Sequence, residues 1–197
     1  MFVAESGLGS GRVALFLHAL GLDHTMWEGQ RAALSGDLRL LTPDLPGFGQ
    51  SRLEECGVAS SVEACVECLR AGSGLAVVIG LSYGGWVAAL LAAKYPELVA
   101  GVAISGVRPN LPRSLAVLQA AAFRAMPTGR LNRGNTVSRD ALKLEKRNLI
   151  EASLELPGVD LMSSLQRITG PSFLRPRATG SYDARPLRSL PQFQVQP

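Results

Sequence analysis

The sequence predicts an α/β fold: a mostly parallel sheet flanked by helices, with a helical insertion. Three observations carry this. Short unbroken apolar runs alternate with segments of helical spacing through the first half of the chain. Such runs fit strands covered on both faces, and strands separated by helices pair in parallel. The length of 197 residues suits one domain rather than two. A hydrophobic fraction of 47% against 18% charged residues supplies a core and argues against disorder.

The elements follow in order. VALFL at 13–17 reads as a buried strand, and 26–34 as a helix. LRLLT at 38–42 is a second strand, closed by Pro43. Residues 60–69 have helical spacing, with Ser60 or Ser61 as N-cap and Glu63 in the first turn. LAVVI at 75–79 is a third strand between glycines, 83–94 a helix stopped before Pro96, and 99–105 a fourth strand. From Pro109 to Ile168 the strand signal disappears. Helical patterns at 115–126 and 142–156 flank GRLNRGNTVSRD, which reads as loop. From Pro171 five prolines and four arginines in 27 residues leave no clean periodicity, which argues against a central strand or packed helix. The expected organisation is a core over 1–108, a helical insertion over 109–168 and an irregular tail over 169–197. With no strand read after residue 105, 99–105 would be an exposed sheet edge, open to self-association.

Composition narrows the function classes. No run approaches the roughly 18 apolar residues of a membrane-spanning helix. The first residues lack a basic start and an apolar core, so no secretory signal is read. A cytoplasmic protein is the expectation, with no membrane partner. Net charge is uneven: residues 1–100 carry 6 Lys and Arg against 10 Asp and Glu, and residues 101–197 carry 14 against 6. The basic half has scattered Arg without a run or interleaved aromatics, so nucleic-acid binding is not expected. Three cysteines give no disulfide framework. Cys65 and Cys68 stand as C-x-x-C inside a helical pattern, without the partners a zinc site needs, and read as structural. Neither a metal nor a cofactor is expected.

The strongest chemical signal is GLSYGG at 80–85, a G-x-S-x-G between a strand and an Ala-rich helix. A strand-turn-helix of this kind lifts a serine hydroxyl above the sheet and aims the first helical N–H groups at the same point. The plain alternative is a glycine-rich loop with an incidental serine. HALG at 18–21 follows the first strand and can turn a backbone N–H toward Ser82, with His18 bracing the loop. DLPGFGQS at 44–51 is a turn-rich loop at the strand end where α/β sheets bind ligands; alone it reads as structural. His24 reads as a surface or loop residue. The lack of G-x-G-x-x-G and of a P-loop lysine disfavours a nucleotide-binding unit.

Together HALG with Trp27, DLPGFGQS and GLSYGG, in this order and spacing, resemble the α/β-hydrolase family over residues 2 to 171. The resemblance implies an α/β-hydrolase core with a helical lid over 109–164 and with the family's C-terminal strands missing. It implies a serine hydrolase acting on a small ester, thioester or related acyl substrate, without a cofactor. Ser82 would be the nucleophile, and the backbone N–H groups of Leu20 and Tyr83 the oxyanion-hole donors. Ala19 departs from the family's H-G turn and adds a Cβ where the loop is tight.

In that family the triad runs Ser, acid, His in chain order. Here Asp183, in GSYD, is the weak candidate acid, and no histidine follows His24. Serine is a poor nucleophile without a neighbouring base, and losing the triad histidine alone costs on the order of 10⁶ in turnover. The expectation is an impaired hydrolase, and the loss of pattern at Pro171 reads as a truncated or frame-shifted member. The competing expectation is a non-catalytic ligand- or partner-binding module on the same fold.

Overall fold

The structure, a computed structural model, describes residues 1–7, 11–72, 74–131 and 138–176. Six strands form one sheet: β1 (Val3–Gly7), β2 (Arg12–Leu17), β3 (Leu38–Pro43), β4 (Ala76–Leu81), β5 (Val99–Val107) and β6 (Ser172–Pro176). Their order is β1-β3-β2-β4-β5-β6. β1 runs antiparallel to β3, and the other neighbours are parallel. The four strands read from the sequence are its centre, where Leu15, Leu17, Leu40, Val78 and Ile104 are almost wholly buried.

Four helices connect or cover these strands: α1 (Glu28–Leu34), α2 (Val58–Gly72), α3 (Tyr83–Lys94) and α6 (Leu161–Arg167). α3 is apolar on every side and correspondingly buried, from Tyr83 through Ala89 without a break. Between β5 and α6, helices α4 (Arg113–Ala125) and α5 (Arg139–Glu155) pack on each other. α5 is anchored to the core through Asn148, whose Nδ2 donates to the carbonyl oxygens of Gly47 (2.8 Å) and Arg52 (3.2 Å). Of the loop expected between the two helices, residues 132–137 lie outside the described residues, as does 177–197.

Two findings correct the sequence expectations. Residues 172–176, in the stretch expected to be irregular, form β6 in parallel register with β5, pairing Val102 with Ser172 and Ile104 with Leu174. The segment 99–105 is therefore an interior strand, and β6 flanks it. Proline is excluded from central strands because it removes a ladder donor, but an outer strand tolerates it at its ends. Pro171 precedes β6 and Pro176 is its last residue. The exposed Phe173 side chain fits a strand with one open side. The second correction is β1, an antiparallel outer strand that no apolar run announced, since none of its residues is fully buried.

Candidate active site

The parallel strands β2, β3, β4 and β5 all end on one edge of the sheet, and the motifs occupy the loops there, where open α/β sheets bind ligands. β4 ends at Leu81 and the chain passes through Ser82 directly into α3. Ser82 has φ 53° and ψ −113°. It is the one non-glycine residue with positive φ among the described residues. Glycines make the turn possible. A Cβ at Gly80 would overlap the carbonyl of Gly84, and one at Gly84 would overlap the carbonyl of Leu17. At Gly85 it would lie 2.6 Å from Val107 Cγ1. The turn is pinned by the Ser82 N–H donating to the Ser105 carbonyl (2.8 Å) and the Gly84 N–H to the His18 carbonyl (3.1 Å).

The loop after β2 is built around His18, which is fully buried. Its Nδ1 faces the Ala19 carbonyl oxygen at 2.9 Å and so carries the proton, while Nε2 accepts from the Leu45 N–H at 2.8 Å. This imidazole is neutral, and both nitrogens are committed to the loops. It is a brace, as its place in the sequence suggested.

The loop after β3 is organised by Asp44, also fully buried. Its Oδ1 accepts from the His24 N–H (2.7 Å) and from His24 Nδ1 (2.7 Å), and its Oδ2 from the Gln50 N–H (2.8 Å). His24 is thus not a free surface residue. It closes the loop that precedes Trp27 onto the loop that follows β3, with its side chain only 18% exposed. The sequence reading missed this pair because 20 positions separate the two residues and no spacing rule joins them. Asp23, His24 and Asp44 place ligand-type atoms within 4.8 Å of one another. However, hydrogen bonds within the protein already take up the Asp44 oxygens, and Asp23 Oδ1 caps the Thr25 N–H.

Leu20, Ser82 and Tyr83 line one pocket of about 340 Å³, together with Trp86, Arg108 and Gln119. α4 supplies Leu115 and Gln119 to it, and Leu156, which follows α5, also lines it. A second cleft of about 540 Å³ shares Trp86, Leu111 and Leu156 with it. The Tyr83 ring belongs to the core: its hydroxyl lies 3.4 Å from Ser61 Oγ, and burial pushes its pKa up, keeping it neutral. Neither histidine is among the pocket residues. Asp183, the acid suggested by the sequence, lies outside the described residues.

The cysteines are free thiols in packing positions. Burial raises the pKa of Cys56 to about 12 and raises those of Cys65 and Cys68 as well, so all three are poor thiolates. Among the described residues no helix is long and apolar enough to cross a membrane.

Comparison with known proteins agrees with this fold. A family model described as "Alpha/beta hydrolase family" matches residues 14–195. A pimeloyl-[acyl-carrier protein] methyl ester esterase of Wigglesworthia glossinidia brevipalpis is 32% identical over 103 residues, covering 52% of this chain and 39% of that protein. An AB hydrolase superfamily protein of Gibberella zeae is 32% identical over 108 residues, covering 51% of this chain and 38% of that protein. Both alignments thus span well under half of the relative's length. Among solved structures, the enol-lactonase from Burkholderia xenovorans superposes with a TM-score of 0.73 at 20% identity, over 88% of this chain and 76% of that one. At that identity the likeness concerns the fold.

Proposed function

The chain belongs to the alpha/beta hydrolase family, and on that premise we propose that it is a serine hydrolase of small ester, thioester or related acyl substrates whose turnover is strongly impaired. The observation that carries this reading is Ser82, held at positive φ on the turn into α3 and lining a pocket that α4 also lines. A non-glycine residue kept in that conformation costs of order 1–3 kcal/mol, and such strain collects at reactive positions.

In the proposed chemistry Ser82 Oγ attacks the substrate's carbonyl carbon. The N–H groups of Tyr83 and Leu20 stabilise the developing oxyanion, the alcohol or thiol leaves with a proton, and water releases the acyl group. The difficulty lies in the proton on Oγ. His18 has both nitrogens engaged, and His24, whose Nδ1 is held by Asp44, is not among the residues lining the Ser82 pocket. What remains is binding and oxyanion stabilisation, worth about 10³–10⁴ over water in a serine protease stripped of its triad. The absence of both imidazoles from that lining favours one second reading, a ligand-binding module on the hydrolase fold.

The experiment that separates these readings is labelling with an alkyl fluorophosphonate, followed by mass determination. Slow labelling of the wild-type chain that Ser82→Ala abolishes supports a surviving nucleophile. No labelling after prolonged incubation supports the binding module.

A further inference from the structure

Arg108 has no part in the chemistry above, yet it lines the same pocket as Ser82. Its position is fixed by the elbow itself. The Ser82 N–H is held on the carbonyl of Ser105, the chain then bends at Gly106 with φ 70°, and β5 ends at Val107. Arg108 therefore leaves the sheet edge beside the serine. It is half-buried, and no hydrogen bond or ion pair links it to another described residue. Its neighbours around the pocket are largely apolar, among them Leu20, Trp86, Leu111, Leu115 and Leu156. A guanidinium partly removed from water prefers an anion that its planar fork can hold at two points, and a carboxylate matches that geometry.

We propose that Arg108 makes the Ser82 pocket selective for acyl ligands carrying a carboxylate, with the carboxylate on Arg108 and the ester or thioester carbonyl at Ser82. This rests on the reading of Ser82 as the reacting centre and adds the substrate's second functional group to it. A pocket of about 340 Å³ lies at the small end of the usual ligand-site range, which suits a short half-ester of a dicarboxylic acid. Gln119, on α4, is the other long polar side chain of the lining and offers an amide to the same ligand. The second cleft, beyond Trp86 and Leu156, leaves room for the alcohol or thiol portion.

The test is calorimetric binding of monomethyl adipate and of dimethyl adipate to the full chain, in wild type, Ser82→Ala, Arg108→Gln and Arg108→Lys. The half-ester is expected to bind at least about tenfold tighter than the diester, as a charge-assisted pair with Arg requires. Ser82→Ala should keep that preference, Arg108→Gln should bring the two ligands to equal affinity, and Arg108→Lys should retain part of it. Equal binding of the two ligands to wild type, binding of neither, or a preference that survives in Arg108→Gln overturns the proposal. Fluorophosphonate labelling of Ser82 is scored separately. Intact carboxylate preference without labelling would discard the hydrolase reading and leave the anion site standing.

Discussion

The N–H of Gly84 donates to the carbonyl oxygen of His18 over 3.1 Å, which ties the turn behind Ser82 to the loop after β2. That loop carries Leu20, so one hydrogen bond sets the spacing between the two proposed oxyanion donors. The contact requires glycine. A Cβ at residue 84 would overlap the Leu17 carbonyl and lie 2.7 Å from that of His18, both of them backbone in the sheet's central strand or just after it. Gly84→Ala is expected to destabilise the fold by about 3 kcal/mol, as overpacking against rigid backbone does. Urea denaturation checks this, with a lower midpoint at unchanged slope as the expected result.

Ser82 itself should show the opposite effect. Its φ of 53° is paid for by the surrounding packing. Glycine adopts that conformation without the side-chain clash, while losing about 0.5–1 kcal/mol of chain entropy. Ser82→Gly is expected to gain about 1 kcal/mol net, from strain of order 1–3 kcal/mol. In a chain of this length that corresponds to about 2–4 °C in Tm. Ser82→Ala keeps the Cβ and so the strain, and its Tm should stay with wild type. Thermal unfolding of the two variants side by side distinguishes release of strain from loss of the hydroxyl.

The central strands β2 to β5 were legible because both faces of each are covered, which leaves an unbroken apolar run in the sequence. β1 and β6 were not, because outer strands bury less: Ala4 and Leu174 are only half-buried and Phe173 is exposed. The prolines around β6 then pointed away from a strand, although at its ends they cost no ladder bond. At the site, GLSYGG was legible because a tight turn forces glycine at fixed offsets. The role of His24 was hidden, because Asp44 reaches it through a tertiary contact with no local spacing signature; the placement of Arg108 beside the Ser82 pocket was equally hidden.

His18 offers a test of the brace. It is fully buried, and its Nε2 is the acceptor for the Leu45 N–H. His18→Leu fills comparable space with no acceptor, which leaves a buried donor unpaired at an expected cost of about 1–3 kcal/mol. Equilibrium denaturation gives the value. A loss near zero would mean that water reaches the Leu45 amide and that the imidazole is not what joins the two loops.

The last prediction concerns pH and begins from a misplaced cap. Ser60 and Ser61 fall inside α2, which starts at Val58, and their hydroxyls donate back to the Gly57 carbonyl. The first N–H of the helix is taken instead by the Glu155 carboxylate at the end of α5, at 3.0 and 3.1 Å. Burial raises the Glu155 pKa above its ordinary value of 4.5, against the lowering by the Val58 N–H. A carboxyl whose pKa is higher folded than unfolded favours the folded state most when protonated. Its contribution is complete below about 4.5 and is lost as pH rises through the folded value. Glu155→Gln keeps an oxygen acceptor for Val58 but cannot ionise. The stability of wild type relative to Glu155→Gln should therefore fall between pH 4 and pH 7.5. The lowered carboxyls of Glu5, Glu63, Asp140 and Asp160 titrate the opposite way. They are common to both proteins and cancel in the difference. Urea titrations of the pair at the two pH values measure it, and a difference that stays constant or grows in favour of wild type would show that the cap's hydrogen bond, not its burial, governs this carboxylate.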